Sequence, residues 1–160
     1  AEEFSTMAIG GERMNRFLVV SIEQTGNDGS AGQVGTKTTP TVLSTVDAPE
    51  SYFNVVKKGM YNVVNGTNAW GTAHTLKDIK PTLGAKTGTA QSFAREDPND
   101  STSKQVETVT SSLVGFAPYD NPQVAIAIVF PNLNSDKGHY NTLLAREMIT
   151  SFYKLNNITE

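Results

Sequence analysis

Apolar and polar positions along the chain predict three helices. Apolar residues recur at helical spacing after Glu12 until two glycines stop the run, which predicts an amphipathic helix over residues 12–25. A strand over residues 17–22 is the alternative, because the centre of that stretch is β-branched. A second helix is predicted to begin at residues 47–50 and to end at Asn65 and Gly66, and a third to span about residues 139–156. The faces predicted to pack inward consist of Tyr52, Val55, Val56, Met60, Val63 and Val64 in the second helix, and Tyr140, Leu144, Met148, Phe152 and Leu155 in the third.

The same pattern predicts strands in the remainder of the chain. Residues 41–46 are β-branched and predicted to be extended, and residues 108–117 and 123–130 are predicted to be two strands joined by a Pro- and Asn-containing turn. The last strand is apolar on both faces, so we expect helices to cover it on both sides. The polar stretches 26–41 and 92–107 are predicted loops. The predicted fold class is therefore α/β, with an antiparallel sheet flanked by helices.

One further extended stretch, residues 83–91, combines a cation, two hydroxyls and a bare glycine. In a strand, Lys86 and Gly88 share one face while Thr87 and Thr89 share the other. Gly88 would let an extended peptide approach the backbone, Lys86 and the hydroxyls could hold a carboxylate, and a backbone N–H near Thr89 could face an oxyanion. A hairpin strand with a solvated lysine is the alternative, because Lys-Thr-Gly alone is a short motif.

Composition narrows the function classes. A chain of 160 residues is long enough for one domain, and its net charge of −3, without a basic cluster, argues against a nucleic-acid partner. The absence of cysteine excludes disulfides and thiolate metal sites, and the longest apolar run, residues 124–130, is too short for a membrane helix. The acidic residues within 96–100 lack the spacing of a calcium loop, and His74 is expected to be a surface or hydrogen-bonded residue. No metal or cofactor is predicted.

Several segments carry a resemblance to a known family. Residues 84–91, Gly-Ala-Lys-Thr-Gly-Thr-Ala-Gln, closely resemble the third active-site motif of the penicillin-binding proteins, and their Thr-Ala-Gln ending is most similar to class B, the monofunctional transpeptidases. Residues 59–67, Gly-Met-Tyr-Asn-Val-Val-Asn-Gly-Thr, resemble the end of the helix that precedes that motif in this class. Residues 115–118 and 130–131 also resemble the family's later strands, and residues 5–10, followed by a helix and a glycine-rich turn, resemble its earlier segment more loosely. The resemblance covers most of residues 1–160.

The resemblance implies a fold shared with the serine β-lactamases and a serine DD-transpeptidase activity. Such enzymes cross-link peptidoglycan by acyl transfer from a D-Ala-D-Ala stem peptide, and β-lactams acylate them. Lys86 would anchor the terminal carboxylate of the substrate, the hydroxyls of Thr87 and Thr89 would donate to it, and the backbone N–H of Thr89 would be an oxyanion donor. Gly88 and Gln91 complete the implied substrate-binding strand.

Two motifs of the family are missing from their expected positions. A Ser-x-x-Lys string at residues 101–104 follows the Lys-Thr-Gly segment in a polar stretch, a second at residues 151–154 lies later still, and no Ser-x-Asn string occurs. The resemblance therefore implies that residues 1–160 are the C-terminal portion of one transpeptidase domain. The nucleophile would lie in an N-terminal half outside this chain, and this chain alone would be inactive. It further implies a location on the extracytoplasmic face of a bacterial membrane, anchored by a segment elsewhere.

Two alternatives to the transpeptidase remain open on the sequence. A β-lactam-hydrolysing or β-lactam-sensing domain has the same fold, and the choice depends on a deacylating base that this sequence does not reveal. A non-catalytic binding module would keep the fold without the chemistry.

Overall fold

A three-stranded antiparallel sheet with helices packed on it forms the centre of the molecule. The computed structural model describes residues 1–25, 31–67 and 71–156. In chain order the elements are α1 (Glu2–Ala8), β1 (Glu12–Met14), β2 (Ser21–Thr25), β3 (Ala31–Lys37), β4 (Val42–Thr45), α2 (Glu50–Asn65), a 3-10 helix (His74–Leu76), β5 (Gly84–Arg95), β6 (Gln105–Ala117), β7 (Val124–Leu133) and α3 (Tyr140–Leu155).

The sheet is a meander in the order β5-β6-β7, with every neighbouring pair antiparallel. Lys86 lies opposite Val114, and Ser112 on β6 lies opposite both Gly88 on β5 and Val129 on β7. Two smaller antiparallel pairs, β1 with β4 and β2 with β3, are formed by the first 45 residues. The mixture of helices and antiparallel sheet confirms the predicted fold class.

The larger hydrophobic core lies between α3 and one face of the sheet. Side chains from all three strands, α2, the 3-10 helix and α3 meet there, and most are almost completely removed from solvent. A smaller cluster on the opposite face joins Phe116 of β6 to Met60 of α2 and Ala8 of α1. Helices therefore hold the sheet from both faces near the start of β5. The main core consists of Val64, Ala73, Leu76, Ile79, Leu83, Ala85, Leu113, Ala117, Ile126, Ile128, Ala145, Ile149 and Tyr153.

The end of α2 is joined directly to the start of β5. The Asn65 side-chain amide donates to the Leu83 carbonyl at 3.0 Å and to the Tyr61 carbonyl at 3.2 Å. Val64 is fully buried beside them, and the Nδ1 of His74 donates to the Val64 carbonyl at 3.0 Å. These contacts fix the position at which β5 enters the sheet.

The helix predicted over residues 12–25 is wrong. α1 instead spans Glu2–Ala8, and the chain then reverses at Gly10 and Gly11, whose φ angles of 80° and 100° favour glycine. β1 pairs with β4, so the hydrogen bonds of residues 12–14 are made with a strand that lies 28 to 33 residues further along the chain. The apolar residues at helical spacing bury little, since Leu18 is fully exposed and Ile22 is 61% exposed. The alternative strand is confirmed only for its last residues, because β2 begins at Ser21.

Two predicted loops also contain strands. Part of the stretch 26–41 is β3, which pairs with β2, while residues 26–30 lie outside the described residues. Likewise β5 extends to Arg95 and β6 begins at Gln105, so both ends of the stretch 92–107 are strand and residues 96–104 form the connection. Polar side chains suit these strands because one edge or face is open to solvent. The strand predicted at 41–46, both strands from 108 to 130 and the helix ending at Asn65 are confirmed.

The third helix is confirmed, but most of its inward face was predicted wrongly, since of the predicted residues Phe152 packs against the main core. The buried residues are Asn141, Thr142, Ala145, Ile149 and Tyr153, one position on from most of the predicted set. Tyr140 and Leu144 are exposed, because Asn141 and Thr142 turn inward to make hydrogen bonds. Cover on both faces of β7 is also only partly confirmed. Ile126 and Ile128 are buried, whereas Val129 on the other face is 61% exposed.

Replacement of Ile149 by alanine should lower the free energy of unfolding by about 2–5 kcal/mol, because it removes a fully buried side chain from the core. The neighbouring Met148→Ala change, on the exposed face of the same helix, should cost less than about 1 kcal/mol. Chemical denaturation of the full-length protein that carries this sequence measures both. Equal losses for the two variants would mean that α3 is rotated relative to the described packing.

Candidate active site

The segment singled out in the sequence lies on an edge strand. β5 pairs with β6 over its whole length, and no strand of the described residues pairs with its other edge. Gly84 and Ala85 are buried at its start, whereas the strand becomes accessible from Lys86 onward. The backbone groups of an edge strand are available to a ligand or to another chain. β5 therefore has the position that strand addition of a peptide requires.

Lys86 and Gly88 lie on one face of β5. The Lys86 side chain is exposed, and its ammonium donates to the carbonyl of Thr87. Beneath Gly88, the Ser112 hydroxyl donates to the Gly88 carbonyl at 3.2 Å. A Cβ atom at residue 88 would come within 2.6 Å of that hydroxyl oxygen. Glycine therefore allows Ser112 to approach the strand directly beside the lysine.

Thr87 and Thr89 point to the opposite face, into a small cavity. The cavity has a volume of about 140 Å³ and is lined by Thr72, Thr87, Thr89, Asp136, His139 and Asn141. The hydroxyls of Thr72 and Thr87 are 2.5 Å apart, and the Thr89 hydroxyl donates to Asp136 Oδ2 at 2.8 Å. These four hydrogen-bonded side chains come from three separate segments of the chain and converge at the accessible part of β5.

Asp136 supplies the negative charge of this cavity. The Ser111 hydroxyl beside it and the hydrogen bond from Thr89 hold the pKa of Asp136 below its usual value, while partial burial opposes them and His139 adds a smaller lowering effect. Its second oxygen, Oδ1, and the Ser111 Oγ are both buried, and neither has a well-aligned hydrogen-bond partner among the described residues. The carboxylate is therefore ionised at neutral pH.

A second set of contacts joins the start of α3 to the same strand. The Asn141 side-chain amide donates to the Ser112 carbonyl at 2.9 Å, and Ser112 in turn donates to Gly88. The carbonyl of Asp136 accepts from the backbone N–H of His139 at 3.3 Å, which turns the β7–α3 connection back toward β5. The first turn of α3 and the loop before it therefore set the shape of the cavity.

Sequence reasoning placed Lys86, Thr87, Gly88 and Thr89 on one strand, and the structure brings them together in the predicted alternation of faces. It missed the supporting residues from elsewhere in the chain, because these lie between 15 and 47 positions from their partners. The one local signal was the placement of Ser135 and Asp136 just before a helix, which is typical of a turn. The supporting residues are Thr72, Ser111, Ser112, Asp136 and Asn141.

The remaining candidates lie away from the cavity or have structural contacts. Gln91 is exposed further along β5, and His74 lies in the 3-10 helix, hydrogen-bonded as predicted. Residues 101–104, the first Ser-x-x-Lys string, are in the turn between β5 and β6, where Ser101 is exposed. Within the described ranges no cluster of three or more His, Asp or Glu residues could hold a metal ion.

None of the helices within the described parts of the chain has the length and apolar character needed to cross a membrane.

Comparison with known proteins identifies relatives of this fold and site. The penicillin-binding protein transpeptidase domain family matches residues 1–150. Penicillin-binding protein 2A of Bacillus subtilis is 33% identical over 98% of the chain, and the peptidoglycan D,D-transpeptidase MrdA of Escherichia coli K12 is 38% identical over 54% of it. The solved structure of penicillin-binding protein 2B from Streptococcus pneumoniae R6 superposes with a TM-score of 0.82 at 26% identity, covering 98% of this chain and 24% of that one. The chain spans 22% of the B. subtilis relative and 14% of MrdA.

The lowered pKa of Asp136 predicts a pH-dependent contribution to stability. Because this pKa in the folded state lies below the usual 3.8, the ionised carboxylate stabilises the fold above about pH 4, and the contribution is lost as the pH falls below that value. The Asp136→Asn variant should therefore have a lower melting temperature than the wild type at pH 7, and this difference should be smaller at about pH 3. Thermal denaturation at both pH values measures it. Asp120→Asn, in an exposed turn, is the matched control, and a difference for Asp136→Asn that did not change with pH would contradict the prediction.

Proposed function

This chain belongs to the penicillin-binding protein transpeptidase domain family, and from that premise we propose that it is the C-terminal portion of a serine-type DD-transpeptidase domain. The reaction is acyl transfer from a D-Ala-D-Ala stem peptide during peptidoglycan cross-linking, and β-lactams acylate the same enzyme. The name of the MrdA relative, a peptidoglycan D,D-transpeptidase, supports this reaction over β-lactam hydrolysis or sensing. The chain contributes the substrate-binding strand.

The observation that carries the proposal is the open edge of β5 at the Lys-Thr-Gly segment. An extended stem peptide would pair with this edge, and Gly88 would leave room for close approach. Lys86 would provide positive potential for the terminal carboxylate, and the Thr72–Thr87 pair would provide a hydroxyl donor. Gln91, further along β5, would contact the more distant part of the peptide.

The backbone N–H of Thr89 would be one of two oxyanion donors. Loss of one such donor raises the barrier in a working acyl-transfer enzyme by about 3 kcal/mol. The position of Thr89 on the accessible part of β5 supports this role. The second donor, the serine nucleophile and its lysine base would come from the N-terminal portion of the same protein, which would carry the Ser-x-x-Lys and Ser-x-Asn motifs.

Exposed apolar side chains support the proposal that further parts of the domain pack against this chain. On α2, Tyr52, Val55 and Val56 are each at least half exposed, although they form the apolar face of an amphipathic helix. Contiguous apolar surface of this kind usually marks an interface. The N-terminal portion of the transpeptidase domain is the occupant we propose.

The proposed location is the extracytoplasmic face of a bacterial cell membrane, where peptidoglycan is cross-linked. The anchor would lie in a segment outside this chain. No nucleic-acid partner, metal or cofactor is part of the proposed reaction, because the nucleophile is a side chain and the acyl group comes from the substrate.

Labelling with a fluorescent penicillin tests the proposal on the full-length protein that carries this sequence. The wild-type protein should form a covalent, gel-stable adduct. Lys86→Ala should slow acylation roughly tenfold to a hundredfold, because a charge-assisted contact with the carboxylate is lost. The melting temperature should stay within about 2 °C of the wild type, since the Lys86 side chain is exposed.

Two changes in the β5–β6 turn are the controls. Lys104→Ala removes another exposed lysine, and Ser101→Ala removes the serine of the Ser-x-x-Lys string at residues 101–104. Both should label at the wild-type rate. Absence of an adduct on the wild-type protein would overturn the proposed function. Normal labelling of Lys86→Ala would overturn the role proposed for Lys86. Loss of labelling in Ser101→Ala would overturn the proposal that the nucleophile lies in the N-terminal portion.

A further inference from the structure

The edge of β5 that faces away from β6 continues well past the Lys-Thr-Gly segment. β5 pairs with β6 from Gly84 to Arg95 without a shift in register. No strand of the described residues pairs with its other edge. The proposed function uses this edge as far as Gln91, and the end of the strand beyond Gln91 is equally open.

A backbone hydrogen bond at the end of β5 establishes which of its residues direct their backbone groups outward. The N–H of Glu96 donates to the Lys104 carbonyl at 2.9 Å, one position beyond the last register pair. In an antiparallel pair, residues alternate between those bonded to the partner strand and those whose N–H and C=O groups point away from it. Counting back from Glu96, which faces β6, the outward residues are the odd-numbered ones. These include Thr89, Gln91 and Phe93.

Two contacts at the start of β5 agree with this alternation. The carbonyl of Leu83, an odd-numbered residue, accepts from Asn65 of α2, which lies outside the sheet. The carbonyl of Thr87, also odd-numbered, accepts from the Lys86 ammonium. The outward groups before Thr89 are thus partly used within the protein, whereas from Thr89 onward no strand of the described residues takes them.

The composition of this edge also favours pairing. Edge strands are commonly protected against pairing by charged side chains, by proline or by a bulge. Between its two cations, Lys86 and Arg95, β5 has none of these. Phe93 is the one large apolar residue of this strand, and it is 67% exposed. An uncharged, regular edge of this kind suits the addition of an extended ligand.

The direction of the ligand follows from where its carboxylate would bind. Lys86 precedes Thr89, so a peptide with its terminal carboxylate at Lys86 and its acyl carbonyl at the Thr89 N–H runs antiparallel to β5. Every second residue of such a peptide faces an outward residue of the strand. The acyl residue then lies opposite Thr89, the second residue before it opposite Gln91, and the fourth opposite Phe93. The last position is about 14 Å from the first, at about 3.4 Å per residue.

We propose that Phe93 forms an apolar subsite for the far end of the acyl donor, four residues before the acyl position. This inference rests on the proposed function and deepens it. The outward N–H and C=O of Phe93 hold the backbone of the donor, and the ring covers the side chain of the donor residue directly opposite, which lies on the same face. The subsite continues the same strand edge as the Lys-Thr-Gly segment, which favours the acyl donor as its occupant over a separate partner.

The neighbours of Phe93 make the ring the apolar group at this end of the strand. Glu107 lies directly opposite Phe93 on β6, and Arg95 is two residues further along β5. Both are charged and exposed. A donor with an apolar side chain at this position gains contact with the ring, whereas an acidic side chain would lie close to the Glu107 carboxylate.

Synthetic acyl donors of two lengths test the proposal on the full-length protein that carries this sequence. Both end in D-Ala-D-Ala; one has four residues and reaches Gln91, and the other has six and places a leucine opposite Phe93. The wild-type protein should release D-Ala from the longer donor with a kcat/KM about tenfold higher, because an apolar side chain covers part of the ring. The gain should lie in KM, since a contact about 14 Å from the acyl carbonyl is the same in the ground state and the transition state.

Three variants separate the ring from the rest of the strand. Phe93→Ala should reduce the preference for the longer donor to less than about twofold, whereas Phe93→Tyr, which keeps the ring, should retain it. Val129→Ala removes an exposed apolar side chain from β7, two strands away from this edge, and should leave the preference unchanged. Fluorescent-penicillin labelling should stay within about threefold of the wild-type rate in all three, because acylation takes place beside Thr89, about 14 Å from the ring.

A change in the donor provides a test that does not depend on the folding of a variant. Aspartate in place of the leucine of the six-residue donor should reduce the preference of the wild-type protein to less than about twofold. Equal preference for the leucine and aspartate donors, or an unchanged preference in a folded Phe93→Ala protein, would overturn the subsite. A wild-type protein that labels normally with penicillin but does not prefer the longer donor would also overturn it, while leaving the proposed function intact. A wild-type protein that forms no penicillin adduct would instead overturn the proposed function, and this inference with it.

Discussion

The pairing of β5 on one edge only is the constraint on which the rest of the structure depends. β6 satisfies the backbone groups on one side of the strand, and the buried side chains of Leu83 and Ala85 anchor its beginning in the main core. Asn65 at the end of α2 fixes the same point through the Leu83 carbonyl. The strand is thus held firmly where it enters the sheet and is free along the edge where Lys86 and Thr89 lie. A binding strand needs both properties, since an unanchored edge would not present its groups in a constant geometry.

The cavity beside β5 follows from how the chain returns to this strand. Thr72 arrives from the segment after α2, Asp136 from the β7–α3 connection, and Asn141 from the first turn of α3. Each contributes a polar group whose hydrogen-bonding capacity is partly used by the protein itself. Which of these groups can donate a hydrogen bond to a ligand therefore depends on which protons are already used in hydrogen bonds within the protein. The residue types on the strand do not by themselves supply that information.

Sequence reasoning identified the elements that are governed by local pattern and missed those governed by distant pairing. The amphipathic α2 and the strands of the β5–β7 meander have periodicity, turns and caps within their own segments, and they were predicted correctly. The segment around Leu18 has apolar residues at helical spacing, yet the strands at its two ends pair with later strands: β1 with β4 across 28 to 33 residues, and β2 with β3 across 6 to 16 residues. For α3 the apolar pattern indicated the larger side chains, whereas small Ala145 and hydrogen-bonded Asn141 pack against the sheet. In the site, the alternation of faces along β5 was predictable, but the partner Asp136 was not, because no local pattern relates two residues in separate loops and strands.

The accessible edge of β5 also has a consequence for how the protein behaves in solution. Between Lys86 and Arg95 the strand carries no charged side chain, and Phe93 in this stretch is 67% exposed. Uncharged edge strands with exposed aromatic residues pair readily with the same strand of another molecule, and charges near the ends of the strand oppose that pairing only locally. Concentrated samples are therefore prone to self-association through this edge, and any ligand that lies along the strand would also keep the molecules apart.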